Sequence, residues 1–405
     1  MRNELTIEDN YYITLQPICD SGMRHIADEV LYRPSKTLVF SKIDNHLIAT
    51  TRVVNTAFLE NSLKKLVGNR KLFFNAPKEW ILKPELLPPY PNQIVIKVLK
   101  NLISEPEVIT ALKEIHNLGY NIAFDGFILN DATRPLLNIA SIIKIDVFEP
   151  IVEENIAEYK QHGIRLLAKK VDNLATFNHF KSIGFDMFKG CFYTHPEIYT
   201  ENSTYHKNNN IHIRIISELQ LEEPSFELLE KLITQDSQLS FMLLNYVNSL
   251  ILDSKNEINT IYQALKTLDL DKTCNIVTTI ILANNSPASR ILLPKALTRA
   301  YMCQNLAEKT RDLDSRSGFI LGLVSMMDLL MNIDLVELIE ELPLTLEIKE
   351  ALTLGKGNLG ELLNLVIAFE EAKVDSRSPE LISRLNDTWL ASQKLSNEVI
   401  NTVVY

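Results

Sequence analysis

The sequence predicts two domains of different class. Residues 1–200 read as an α/β barrel of (βα)8 type, and residues 201–405 as an all-helical domain. Three observations predict this. In the first half about eight short runs rich in Ile, Val, Leu and Phe alternate with helical patterns, which is how buried parallel strands with crossover helices read. After Gly190 the next glycine is Gly318, so the turns that a strand-rich domain needs are missing from that stretch. The charge is also divided: residues 1–200 carry 23 Lys/Arg and 23 Asp/Glu, and the remaining 18 of 41 basic and 28 of 51 acidic residues give the second half the whole net charge of −10.

The candidate strands in order are Tyr12–Gln16, Ile26–Leu31, Leu72–Asn75, Ile94–Leu99, Asn121–Phe124, Ile142–Ile145, Arg165–Ala168 and Met187–Cys191. Between them the spacing of Val108, Leu112 and Ile115 predicts an amphipathic helix. Eight such units in some 200 residues sit near the lower size limit of a (βα)8 barrel. An open doubly wound sheet is the alternative, but no GxGxxG or GxxxxGK[ST] loop follows any strand. The polar, aperiodic stretch Tyr199–Asn210 reads as the junction. Beyond it Leu228, Leu229, Leu232 and Ile233 mark one helix, and Leu239, Met242, Leu243, Tyr246 and Val247 the next. Ser378-Pro379 has the form of an N-cap followed by proline at the first helical position.

Composition narrows the function. With 46% hydrophobic and 23% charged residues the chain is globular, and its net charge of −10 argues against a nucleic-acid partner. Cys19, Cys191, Cys274 and Cys303 stand alone, without a CxxC pair, which excludes a zinc cage and a disulfide scaffold. No apolar run reaches the ~20 residues of a membrane span. The expected compartment is the cytoplasm.

Chemistry in a (βα)8 barrel sits at the C-terminal ends of the strands. Here those ends carry Glu29, Asn75, Lys97, Asp125, Lys144, Asp146, Lys169 and Lys189. Around them Leu15-Gln16-Pro17-Ile18 and Asp28-Glu29-Val30-Leu31-Tyr32-Arg33 resemble the opening of EAL domains, the bacterial cyclic di-GMP phosphodiesterase family. Phe74-Asn75 is similar to its asparagine motif, Ala123-Phe124-Asp125-Gly126-Phe127 to its DDF segment and Lys144-Ile145-Asp146 to its KID motif. Ala168-Lys169-Lys170-Val171-Asp172 sits where the family has AExVE, and Lys189-Gly190 with Pro196 where it has QGxxxxxP. The resemblance covers residues 10–198.

The second half resembles HDOD domains, catalytically degenerate relatives of HD-type phosphohydrolases. Leu243-Leu244-Asn245-Tyr246-Val247-Asn248-Ser249 is similar to their LLxxxNS helix, and Ile258, Ile261, Ala264 and Leu265 to the helix that follows. The stretch from Phe319 to Leu330 resembles the GLxSxLDxLL signature of proteins that fuse EAL to HDOD, and Glu341–Leu354 with Gly360-Glu361-Leu362-Leu363 continues it.

For the barrel the resemblance implies hydrolysis of a phosphodiester by two divalent metals held by oxygen donors. Glu29, Asn75, Asp125, Lys144 and Asp146 match the family's positions. Lys97 and Lys100 replace the glutamates of an ExxE run, Gly126 the second aspartate of DDF, Lys169 the first glutamate of AExVE and Lys189 the terminal glutamine. Like charges 4 Å apart cost ~4 kcal/mol at an effective dielectric near 20, and a divalent ion beside an ammonium about twice that. The expectation is therefore no metal, no cofactor and no phosphodiesterase activity, with an ammonium standing in for metal beside Glu29 or Asp125. In the helical half the resemblance puts Ser325-Met326 at the HD dyad, and no histidine follows His212, so an HD-type metal centre is excluded.

The bland reading covers the rest. His195 reads as a loop residue, Cys191 as strand core, Met326-Met327 and Leu329-Leu330 as helix core, Trp80 and Trp389 as core or interface, and Arg290, Lys295 and Arg299 as a solvated face. The leading functional expectation is an inactive signalling scaffold that binds regulatory proteins, for which the resemblance implies motility or biofilm control and pairing as a homodimer. The alternatives are a metal-free cyclic di-GMP receptor using Glu29, Arg33, Lys144 and Lys189, and a weak residual phosphodiesterase.

Overall fold

The structure is a computed structural model. It describes residues 11–34, 63–150, 152–194, 209–221, 223–250, 258–283, 289–331, 333–374 and 379–403. The chain divides into two compact units, Met1–His195 with Asp375–Asn386, and Pro196–Val374 with Asp387–Tyr405.

In the first unit eight strands close a barrel in the order of the chain. They are β1 (Tyr11–Asp20), β2 (His25–Pro34), β3 (Lys71–Asn75), β4 (Ile94–Leu99), β5 (Asn121–Asp125), β6 (Ile142–Asp146), β7 (Arg165–Val171) and β8 (Met187–Gly190). Each predicted strand is present. The expectation of parallel pairing needs one correction, because β1 runs antiparallel to both β2 and β8. The link from β1 to β2 spans only residues 21–24, whereas a parallel crossover takes roughly a dozen residues or more. Asp20 builds the tight turn: its Oδ1 accepts the backbone N–H groups of Gly22 and Arg24, each at 2.9 Å.

One residue per strand forms the apolar floor: Ile18, Ala27, Phe73, Val95, Ala123, Ile142, Leu167 and Met187, all buried. Strand side chains alternate between faces. The residue two positions further toward the C-terminal rim therefore also points inward on each parallel strand. That step runs from Ala27 to Glu29, Phe73 to Asn75, Val95 to Lys97, Ala123 to Asp125, Ile142 to Lys144, Leu167 to Lys169 and Met187 to Lys189. The polar ring is thus a direct consequence of the strand period.

The second unit is helical. Its described helices before the terminal one are Asn209–Leu219, Phe226–Ile233, Ser237–Ser249, Ile261–Thr267, Leu270–Ala283, Ser289–Glu308, Ser315–Val324, Met327–Met331, Leu335–Glu341, Leu346–Leu354 and Gly357–Glu370. Asp236, Thr260, Asp314, Asp334 and Thr345 cap helix N-termini with their side chains. Helix Ser315–Val324 lies directly on helix Ser289–Glu308. A Cβ on Gly318 would come within 2.8 Å of the Cys303 carbonyl oxygen, and one on Gly322 within 2.7 Å of the Ala300 Cα. Two glycines one turn apart let the backbones touch. The last helix of the chain is Pro379–Val403, of which the residues from Asp387 onward belong to this unit; Pro379 is its first residue, and Ser378 lies outside the described residues.

Asn209 and Asn210, predicted as part of the junction, already belong to a helix. The rest of that polar stretch lies outside the described residues, as do His195 and Pro196. Cys191, predicted in the strand core, is exposed and lies one residue beyond β8. Trp80 and Trp389 are buried, as are Met326, Met327 and Leu330.

Candidate functional site

At the barrel mouth the lysines converge on two carboxylates. Glu29 is 2% exposed and sits at the centre. Its Oε1 accepts from the ammonium groups of Lys97 at 2.6 Å and Lys144 at 3.0 Å. Its Oε2 accepts from Lys144 at 2.9 Å and Lys189 at 2.5 Å. Asp125 receives Lys169 on Oδ1 at 2.7 Å, with Lys97 and Lys144 at 3.6 and 3.7 Å from Oδ2. Lys144 also stands over the floor ring of Phe73, 5.8 Å from its centroid.

The electrostatics follow from burial and sign. Burial alone would raise the Glu29 carboxyl, but the ammonium groups of Lys144, Lys189 and Lys97 outweigh it and hold the group well below the usual carboxylate range. Asp125 is lowered in the same way, against its own desolvation, by Lys144, Lys169 and Lys97. Lys144 is pushed down to about 8, first by burial and then by its like-charged neighbours Lys97 and Lys189, with Glu29 and Asp125 opposing. Lys189 is lowered by burial.

A β-bulge completes the mouth. The β7–β8 register shifts between Lys169 and Val171, and the residue between them, Lys170, takes a left-handed φ of 64°. Two consecutive lysines can then each reach an acid: Lys169 goes to Asp125, and Lys170 to Asp146 at 2.7 Å. Gly126 follows Asp125 with a φ of 72°, its Cα facing the Lys100 side chain. Asn75 is half-buried on β3, in register with Lys97. Asp172 is exposed beyond the end of β7. Arg33 on β2 pairs with Tyr12 on β1, and its side chain is outside the described residues.

The donor set does not fit a two-metal centre. Divalent ions such as Mg²⁺ take oxygen donors. Here each of the four carboxylate oxygens of Glu29 and Asp125 faces an ammonium nitrogen within 3.7 Å. Among the described residues no group of three or more His, Cys, Asp or Glu side chains is placed to hold a metal ion.

On the outer face of the barrel, sequence reasoning missed a buried network. Asp28 accepts from Arg70 Nε at 2.8 Å and pairs with His25 Nε2 at 2.8 Å. Burial lowers the His25 imidazole, while the His25 and Arg70 contacts hold the Asp28 carboxyl down to about 2 against its desolvation.

In the helical unit Asn248 has a structural task. Its side-chain amide donates to the Ile258 carbonyl at 2.9 Å and accepts the Ile258 N–H at 2.8 Å, which ties the end of helix Ser237–Ser249 to the approach of the next helix. Asn248→Ala is expected to cost roughly 1–3 kcal/mol, read as a shift of the urea midpoint. An unchanged midpoint would show that the clamp carries no stability.

Ser325 is the C-cap of helix Ser315–Val324, and its hydroxyl accepts from Arg299 Nη1 at 3.0 Å. The solvated face predicted for Arg290, Lys295 and Arg299 is corrected here. Arg290 is exposed, but Arg299 is buried and grips Glu370 with Nε at 2.9 Å and Nη2 at 2.6 Å. At about 3.6 residues per turn, nine residues put Arg299 half a turn away from Arg290. Lys295, one turn from Arg299, reaches the same carboxylate at 3.4 Å.

Comparison with known proteins places the second unit. Residues 207–351 match the HDOD domain family. Most of the chain is also similar to two curated bacterial proteins. One is cyclic di-GMP phosphodiesterase CdgJ of Vibrio cholerae, 28% identical over 89% of this chain and 85% of the relative. The other is uncharacterized protein YuxH of Bacillus subtilis, 27% identical over 91% of this chain and 92% of the relative. A solved EAL domain protein from Listeria monocytogenes superposes with a TM-score of 0.37 and 16% identity, over 48% of this chain and 94% of that one. Among the described residues of this chain no helix is long and apolar enough to cross a membrane.

Proposed function

We propose that the chain is a non-hydrolytic member of a cyclic di-GMP signalling system, an EAL-type barrel joined to an HDOD domain. It acts by binding regulatory proteins in the cytoplasm, in the control of motility or biofilm formation. One observation carries the reading: three ammonium groups surround Glu29 at hydrogen-bond distance, where a metal-dependent enzyme would need oxygen donors around a cation. Similarity to CdgJ supports the signalling system, and the mouth chemistry supports the absence of turnover. The helical unit supports the scaffold role, since its conspicuous polar groups, Arg299 with Glu370 and Asn248 with Ile258, hold structure together.

The test is incubation of the full-length chain with cyclic di-GMP in the presence of Mg²⁺ or Mn²⁺, with linear product read by chromatography. No product above the protein-free control is expected. Metal-dependent turnover that disappears in Glu29→Ala would overturn the proposal.

A second reading is favoured by the excess of ammonium over carboxylate at the mouth: metal-free binding of cyclic di-GMP by Glu29, Arg33, Lys144 and Lys189. Lysine and arginine both suit phosphate oxygens.

A further inference from the structure

The mouth ring is out of balance. Lys97, Lys144, Lys169 and Lys189 meet Glu29 and Asp125 in direct contact, an excess of two positive charges within this ring in a chain of net charge −10. Hydrogen-bond capacity is equally uneven. Four ammonium groups bring about twelve N–H donors, and two carboxylates offer about eight lone-pair sites. Glu29 is already spent, with two ammonium contacts on each of its oxygens.

The lysines also differ in depth. Lys144 and Lys97 are 2% and 9% exposed in their side chains, while Lys189 and Lys169 are 16% and 26% exposed. The open pair is adjacent: Lys169 and Lys189 are register partners across β7 and β8 and belong to the same inward ring. Like charges side by side on neighbouring strands repel. Here one is drawn toward Asp125 and the other toward Glu29.

We propose that the Lys169–Lys189 pair at the barrel mouth holds the terminal phosphate of a phosphate monoester, bound as a dianion without a metal ion. This deepens the metal-free reading of the mouth and rests on it. A phosphate monoester carries −1.5 to −2 charges near pH 7 and three strong acceptor oxygens, matching the two surplus charges and the surplus donors. A phosphodiester group carries one charge and has two oxygens esterified, so it leaves half of the imbalance standing. Lysine serves here as a compact point charge with several donors.

The test is calorimetric titration of the full-length chain in EDTA with 5′-guanosine monophosphate, inorganic phosphate and cyclic di-GMP. Saturable binding of the first two, in competition with each other, is expected, with cyclic di-GMP weaker by about ten-fold or more. Equal affinity for inorganic phosphate would identify phosphate itself as the ligand, and a clear preference for the nucleotide would identify a nucleotide; either outcome supports the site. Lys169→Gln and Lys189→Gln should each weaken binding by about ten-fold. Lys160→Gln, whose ammonium sits on Asp186 outside the mouth ring, should leave it unchanged. If the two rim variants do not fold, sulfate takes their place as a probe and should displace the nucleotide from the wild-type chain. No binding of either phosphate probe, or binding unaltered in both rim variants, overturns the proposal. Tight cyclic di-GMP binding that inorganic phosphate cannot displace overturns it while leaving metal-free binding intact.

Discussion

Glu29→Leu is expected to destabilise the barrel by roughly 3–5 kcal/mol, the usual cost of removing one partner from a buried ion pair. The reason is arithmetic as much as contact. Glu29 is the shared partner of Lys97, Lys144 and Lys189, and without it three ammonium groups crowd a buried layer with only Asp125 to oppose them. Lys144→Met should cost less, because Glu29 keeps Lys97 and Lys189 while a lysine already pushed down to about 8 by burial is relieved of its desolvation. In the Glu29→Leu background the same Lys144→Met change should recover part of the loss. The barrel can be followed by itself through Trp80 fluorescence in a Trp389→Phe background, since the chain has two tryptophans. Urea unfolding of the four variants forms a double-mutant cycle. A Glu29→Leu chain within about 0.5 kcal/mol of wild type would show that the ammonium ring does not depend on its central acid.

Gly190→Ala is expected to cost about 3 kcal/mol or more, at the severe end of overpacking. A Cβ at this position would lie 1.9 Å from the Val171 carbonyl oxygen, a backbone atom that cannot rotate away. The closeness comes from the bulge at Lys170, which brings Val171 opposite Gly190. Any relief must spread the two strands, and that would draw Lys189 away from Glu29. The same Trp80 signal reads the effect as a lowered unfolding midpoint, and an alanine variant with wild-type stability would contradict the close approach.

Much of the fold and of the mouth is legible in the residues themselves. The eight apolar runs mark the strands because strands buried on both faces carry little else. Glu29, Asn75, Lys97, Asp125, Lys144, Lys169 and Lys189 are found by looking at strand ends, since the barrel directs those ends to one rim. What escapes is whatever depends on the partner rather than the run. The direction of β1 is decided by a four-residue turn, and Asp20 with Gly22 is the signal that was there to use. The burial of Arg299 depends on Glu370, 71 residues away, so the spacing of basic residues along one helix cannot reveal it. Asp28 reads as part of a motif beside Glu29, yet it points the other way and needs Arg70 and His25 to be satisfied. The bulge at Lys170 has no periodic signature at all, and Cys191 falls outside the strand because β8 stops at the glycine that the bulge requires.

The stacking of a mixed-charge ring on an apolar floor has a consequence for how such a barrel changes over evolutionary time. The floor residues pack with one another as one apolar layer, in which Phe73 lies beneath the Lys144 ammonium. Each position of the ring belongs to a different strand, so each can be exchanged by a single codon change without repacking the layer below. A mouth of acids can become a mouth of bases in separable steps, provided that acid and base remain close enough to neutralise each other on the way. The lineage of the barrel is written in its floor and its turns, while its present chemistry is written in one replaceable layer.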